Sequence, residues 1–251
     1  MSDRQRAFLD WLDRQELTRT PLYDCPYLPN RQAVQYGFAS DKLDAELYQA
    51  LMDRGFRRSG TIFYGMECPS CNACVPLRIP VTTFRPSKSQ RRTLRKNSDI
   101  QVKFAEPQFR DESHALYQRY LRHQHPATPQ DESKESFEEI LYGKAVDGIE
   151  ARYFLGEDLV GVSLLDIGTQ SLSAVYHFFE PSARDRRIGV LSVLMEIEHA
   201  RMLGIPYYYL GYWVKDAATM GYKANYGPNE VLVSGEWVSL PTKQTPDGQN
   251  S

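Results

Sequence analysis

A chain of 251 residues is near the upper limit for one hydrophobic core, so one large domain or two packed lobes is allowed and many small ones are not. Hydrophobic residues make up 41% and charged residues 25%, which excludes a disordered, collagenous or disulfide-scaffold protein. The net charge of -2 hides an asymmetry: residues 1–100 carry 16 Lys+Arg against 11 Asp+Glu, residues 101–251 carry 14 against 21, so the first part is suited to meet a polyanion.

Residues 4–17 place Phe8, Leu9, Trp11 and Leu12 on a broad face and predict a short amphipathic helix. A loop rich in Pro and Tyr follows. From Asp41 a second helix is expected, with Leu43, Leu47 and Leu51 on one side, Asp41 as N-cap and Gly55 beyond its end. Residues 61–64 and 75–81 read as strands flanking a cysteine loop, and the prolines of the second suggest an edge position or interruptions. Residues 106–125 carry Phe109, Leu116, Tyr117, Tyr120 and Leu121 at helical spacing, and Phe137, Ile140 and Leu141 mark another helix after a break at Pro126–Pro129. Strands are expected at 151–155, 159–165 and 172–179, then a helix near 189–203 and a strand at 207–213. An antiparallel meander thus feeds a strand-helix-strand unit, and the fold class is α+β. The tail from Pro241 to Ser251 is polar and expected to be mobile. No apolar run approaches the roughly 18 residues that span a bilayer, and the start carries no uninterrupted apolar segment, so no membrane association and a cytoplasmic location are expected.

Residues 84–96 hold Arg85, Lys88, Arg91, Arg92, Arg95 and Lys96 and no acid. So dense a cationic run suits phosphate binding, since each neutralised phosphate releases counterions; the alternative is a solvated helix face. Arg186-x-x-Gly189 resembles the start of the loop by which acyl-CoA N-acetyltransferases hold a pyrophosphate. Leu191 stands where that pattern continues with a small residue, which suggests acyl transfer with a donor other than CoA. Cys68-x-x-Cys71-x-x-Cys74 has spacing suited to thiolate ligation of zinc or an iron–sulfur centre, and Cys25 could complete a set of four, although Leu28 sits where its partner cysteine would be. A metal, a redox role or plain packing remain open. His177 and His199 read as packing or surface residues.

Two blocks then carry a resemblance. Residues 53–60 leading to 84–90, and residues 207–213 leading to 220–230, are similar to the aminoacyl-tRNA-protein transferases, which extend protein N-termini to create degradation signals. The start at residues 25–30 and the absence of large insertions resemble the bacterial branch, which moves leucine from leucyl-tRNA to N-terminal aspartate or glutamate. The resemblance implies two packed acetyltransferase-like (GNAT-type) lobes with mixed and antiparallel sheets and flanking helices. The expected division is an N-terminal lobe at 1–100, a GNAT-like lobe at 101–240 and a tail.

The implied chemistry is attack of the acceptor's neutral α-amine on the aminoacyl ester of a charged tRNA. The ester is already activated, so no cofactor is required; the enzyme adds proximity, a path for the amine proton and oxyanion stabilisation. Lys215, Tyr222 and Lys223 follow the 207–213 strand and are the candidates near the ester. An acidic acceptor side chain calls for a bidentate arginine, for which Arg78 is preferred ahead of Arg57 and Arg58. Arg186 joins the basic run as a candidate tRNA contact. Competing readings are an arginyltransferase, which would need an acidic pocket for the donor guanidinium, a CoA-dependent N-acetyltransferase, and a non-catalytic RNA-binding module.

Overall fold

The computed structural model describes residues 1–124 and 133–241; the expected break at Pro126–Pro129 and the tail beyond Pro241 lie outside them. Helix α1 (Asp3–Leu12) opens the chain, followed by β1 (Thr18–Arg19), β2 (Tyr23–Asp24), β3 (Gln32–Ala33), β4 (Gln35–Ala39), α2 (Ala45–Asp53), β5 (Arg57–Ser59), β6 (Ile62–Met66) and β7 (Val75–Pro80). Next come α3 (Lys88–Lys96), β8 (Ile100–Ala105), α4 (Asp111–Gln124), α5 (Lys134–Tyr142), β9 (Gly148–Leu155), β10 (Asp158–Ile167) and β11 (Ser171–Phe179). Helix α6 (Ile188–Met202), β12 (Tyr207–Trp213), β13 (Glu230–Val233) and β14 (Glu236–Ser239) complete it. The class is mixed α+β, as expected.

Local chemistry sets the helix ends. Ser2 with Gln5, and Ser87 with Gln90, form reciprocal capping boxes for α1 and α3. The expected N-cap of α2 is corrected: Asp44, not Asp41, accepts from the Glu46 and Leu47 amides. Helix α1 is shorter than expected, capped by Asp13, and Trp11 is 51% exposed rather than inward, because Leu9 and Leu12 are the apolar side chains that reach the core. The fourth helix begins at Asp111 rather than near 106.

Eight strands form one sheet in the order β14-β13-β7-β12-β11-β10-β9-β8, and four form a second in the order β1-β4-β6-β5. β7 is not at an edge. It pairs antiparallel with β12 from Val75 to Pro80, while β13 pairs only Leu77 and Arg78. Pro76 and Pro80 therefore fall outside the short β13 ladder, where a missing N–H leaves no bond unmade. Helix α6 covers one face of the large sheet, packing Val193, Leu194 and Ile197 on Leu77, Ile79 and Tyr208. On the other side α1, α2 and the four-stranded sheet gather around Tyr48, Phe63 and Tyr209, and α4 and α5 lie against Val162, Leu164 and Phe178. Each such fully buried side chain contributes about 1.5–3 kcal/mol. Among the described residues no helix is long and apolar enough to cross a membrane.

Candidate active site

Strands β11 and β12 run parallel but pair only at Ser171–Tyr207, Leu172–Tyr208 and Ser173–Tyr209. Beyond that point they part. On its other edge β12 bulges between Tyr209 and Gly211, and Gly211 takes φ +87°, a conformation other residues adopt only with strain. A side chain there would also stand 3.3 Å from Lys223 Nζ and 3.4 Å from an Arg57 Nη atom. The glycine lets two cations approach the strand.

Arg57, from β5, donates to the Ser173 hydroxyl at 2.7 Å and to the Ala174 carbonyl. It thereby satisfies a β11 group where β12 has turned away. Lys223 is buried in a 3₁₀ turn over Gly221–Asn225. Burial, reinforced by Arg57, pushes its amine down to about 7. An amine poised there can take or release a proton near neutrality. Tyr222, in the same turn, is 43% exposed and Lys215 is exposed.

A second polar group lies on the α6 side of the sheet and was not legible as a candidate. Glu196, 2% exposed on an otherwise apolar helix face, accepts from Tyr153 at 3.2 Å and from Tyr208. Desolvation pushes its carboxyl up. Ser163 bonds His177 Nδ1 at 2.8 Å, the second ring nitrogen of His177 is buried without a partner, and burial pushes that imidazole down to about 4. The signal in the sequence was an acid, Glu196, at helical spacing with Val193, Ile197 and Ala200, unlike Glu198 two residues on. His199 stacks on Phe104 with centroids 3.7 Å apart.

The three candidate arginines separate. Arg58 is 7% exposed and grips Asp166 through two bonds of 2.7 Å, while Tyr48 donates to the same carboxylate at 2.8 Å. Arg78 faces away from Leu77 and Ile79, but into packed surroundings: Glu230 at 2.7 Å, Asp53 at 3.4 Å and the Tyr209 hydroxyl at 3.0 Å, with the Tyr207 and Trp237 rings at 4.0 and 4.3 Å. Both are matched by carboxylates. Arg57 alone of the three stands at the gap between β11 and β12.

Helix α3 is a cationic surface. Arg85, Lys88, Arg91, Arg92, Arg95 and Lys96 are exposed, and none is in an ion pair among the described residues. The helix is stitched to the turn Pro181–Arg186: Lys96 donates to the Asp185 carbonyl at 2.7 Å, Asn97 to the Arg186 carbonyl at 2.8 Å, and Arg187 to the Ser89 hydroxyl at 2.9 Å. Arg184 and Arg187, both exposed, extend the patch. Arg186 is engaged bidentately by Asp99 at 2.9 and 3.0 Å.

All four cysteines are free and line one cavity of about 50 Å³, together with Tyr27, Leu28, Tyr64, Met66 and Tyr212. Burial lifts the Cys74 thiol to about 12, and Cys68 Sγ lies 3.9 Å from the Val34 carbonyl. Among the described residues no three His, Cys, Asp or Glu side chains converge as metal ligands. The thiols share a wall, but their placement does not fit a zinc or iron–sulfur set.

Comparison with known proteins gives two family matches. "Arginine-tRNA-protein transferase, N terminus" matches residues 23–92, and "Arginine-tRNA-protein transferase, C terminus" matches residues 112–233. The chain is 40% identical over 223 residues to an aspartate/glutamate leucyltransferase of Thiobacillus denitrificans, covering 88% of this chain and 93% of that one. It is 38% identical over 226 residues to the Marinobacter nauticus protein of the same name, covering 89% and 95%. Solved structures with a similar outline include the C-terminal domain of a putative lysylphosphatidylglycerol synthetase from Agrobacterium fabrum, with TM-score 0.49, 13% identity and coverage of 77% of this chain and 62% of that one. FemX has TM-score 0.44, 9% identity and coverage of 82% of each chain.

Proposed function

The chain belongs to the aminoacyl-tRNA-protein transferase family, and from that premise we propose that it moves leucine from leucyl-tRNA to the N-terminal aspartate or glutamate of acceptor proteins. The observation that carries this reading is the 40% identity to an aspartate/glutamate leucyltransferase over 88% of the chain.

The geometry supplies the parts. The acceptor amine attacks the ester carbonyl, the carbon–oxygen bond to the tRNA ribose breaks, and the amine proton must leave as the ribose hydroxyl gains one. Lys223, neutral in about half the molecules near pH 7, is the group we assign to that proton. Beside it Arg57 keeps a positive charge that no acid among the described residues offsets, and we assign it the acceptor carboxylate. The surface of α3, extended by Arg184 and Arg187, is assigned to tRNA phosphates. Lys215, exposed, and Tyr222, in the same turn as Lys223, stay candidates near the ester.

The ester is activated before it arrives, so the reaction as read needs no cofactor, and the four thiols act as apolar lining. The parallel β11–α6–β12 unit, whose strands part after three paired residues, supports a GNAT-like C-terminal lobe. A boundary near residue 100 leaves β7 and α3 on its N-terminal side although β7 is a strand of the large sheet and α3 packs against α6.

The test is to incubate the purified protein with a peptide beginning in Asp or Glu and with separately labelled leucyl- and arginyl-tRNA. The leucine label is expected to move; transfer of arginine alone, or of neither, refutes the reading.

A further inference from the structure

We propose that the cysteine-lined cavity is the pocket for the donor's leucine side chain; the inference rests on the leucyl-transfer reading above. The cavity adjoins the assigned chemistry. Tyr212 and Val214 form part of its wall, while Gly211, one residue before Tyr212, faces Lys223 and Arg57. Cys74 lies close enough for a charge on it to be felt by both Lys223 and Tyr212. An aminoacyl ester held at the gap would have this recess within reach of its side chain.

Size and chemistry select what enters. A cavity of about 50 Å³ is several times the roughly 10–15 Å³ that one water needs, which suits the four carbons of an isobutyl group. Its walls are mostly aromatic rings, Leu28, Met66, Ala73 and thiols, with Gln32 and Gln35 the uncharged amides among them. Burial holds the proton of Cys74 to about 12, so that thiol behaves as a small hydrophobe. No Asp or Glu lines the recess, and its cation, Arg31, is exposed. A donor guanidinium would surrender its water and meet no carboxylate, so arginine is excluded by desolvation. The four cysteines and Leu28 thus become a specificity surface. Leu28, in the place of a partner cysteine, puts a branched apolar wall where a ligand would be.

Two variants and one binding measurement test the assignment. Ala73→Met narrows the recess and is expected to lower kcat/KM for leucyl-tRNA by about tenfold or more, with a smaller loss for alanyl-tRNA. Met66→Ala widens it and is expected to raise the ratio of phenylalanyl to leucyl transfer by about tenfold. Unchanged preference in both variants, with the parent still moving leucine, overturns the pocket and leaves the reaction standing. The unmodified protein is then treated with iodoacetamide in the presence of a leucyl-adenosine or an arginyl-adenosine amide, each a non-hydrolysable mimic of the tRNA end. The leucyl compound is expected to slow alkylation of the cysteines lining the cavity and the arginyl compound to leave it unchanged. Equal protection by both, or by neither, overturns the inference even if the variants fail to fold or the parent transfers no leucine.

Discussion

Replacing Lys223 with methionine should stabilise the protein while abolishing transfer. The side chain is 9% exposed, and its amine is held at about 7 against the ordinary lysine value of 10.5. Above pH 7 the folded amine is neutral, while the unfolded one keeps its proton until about 10.5. The unfolded state therefore binds more protons across that window, and the stability of the parent rises with pH there. At roughly 1.4 kcal/mol per pH unit the full difference is about 5 kcal/mol, fully present below pH 7 as a penalty on folding and gone above pH 10.5. Lys223→Met removes the penalty. Its stability gain over the parent should be about 4 kcal/mol at pH 7.5 and about 2 kcal/mol at pH 9, read from urea unfolding at each pH. Other titrating groups are common to both proteins and cancel in the difference. A gain that is the same at both values, or a loss at both, would refute the claim that Lys223 is buried as a near-neutral amine.

Replacing Arg91, Arg92 and Arg95 together with alanine should weaken tRNA binding and flatten the plot of log affinity against log salt by somewhat under one unit for each phosphate left without its cation; an unchanged slope removes α3 from the tRNA interface. Arg58→Met should cost about 3–5 kcal/mol in urea unfolding, because Asp166 is left buried and uncompensated, whereas Arg58→Met with Asp166→Leu should recover most of it. Cys74→Ser should lower stability in urea unfolding and reduce leucyl transfer without abolishing it, since Cys74 lines the recess but forms no bond to the substrate. A thiol held to about 12 supplies almost no thiolate near neutrality, and mass spectrometry should find no aminoacyl group bonded to it.

The helices and strands with strong periodicity were legible: α2, α6, β9 to β12 and the cationic run that became α3. Strands β4, β8, β13 and β14 were missed, and three further things were not legible. The short strands β1, β2, β3 and β5 carry too few residues for a period-2 pattern to declare itself. The neighbours of β7 depend on pairing far along the chain, with β12 and β13, which Pro76 and Pro80 in a local reading argue against. The roles of the arginines were the third. Alternation placed Arg78 opposite Leu77 and Ile79 correctly, but it could not show that Asp53 and Glu230 were waiting on that side. Glu196 was hidden for a similar reason, since the Tyr153 and Tyr208 hydroxyls that hold it come from other elements of the fold, β9 and β12.

Charge matching then separates structural cations from functional ones. Arg58 has Asp166 and Arg78 has Glu230 with Asp53, so each is neutralised before any substrate arrives. Arg57 is met by a hydroxyl and a carbonyl, and its neighbour is Lys223, whose proton it helps to expel. Two adjacent cationic groups with no acid beside them among the described residues form a site that an entering carboxylate would stabilise. An acceptor aspartate placed there must in turn raise the amine of Lys223, because an opposite charge close by favours its protonated form. The rising limb of kcat against pH should therefore lie above that of kcat/KM when the acceptor begins with Asp. With an Asn-initial peptide the two limbs should coincide, whatever the reduction in rate. Steady-state profiles between about pH 6 and about pH 9 on the two peptides decide it, and coincident limbs for the Asp peptide would place the acceptor carboxylate away from Arg57 and Lys223.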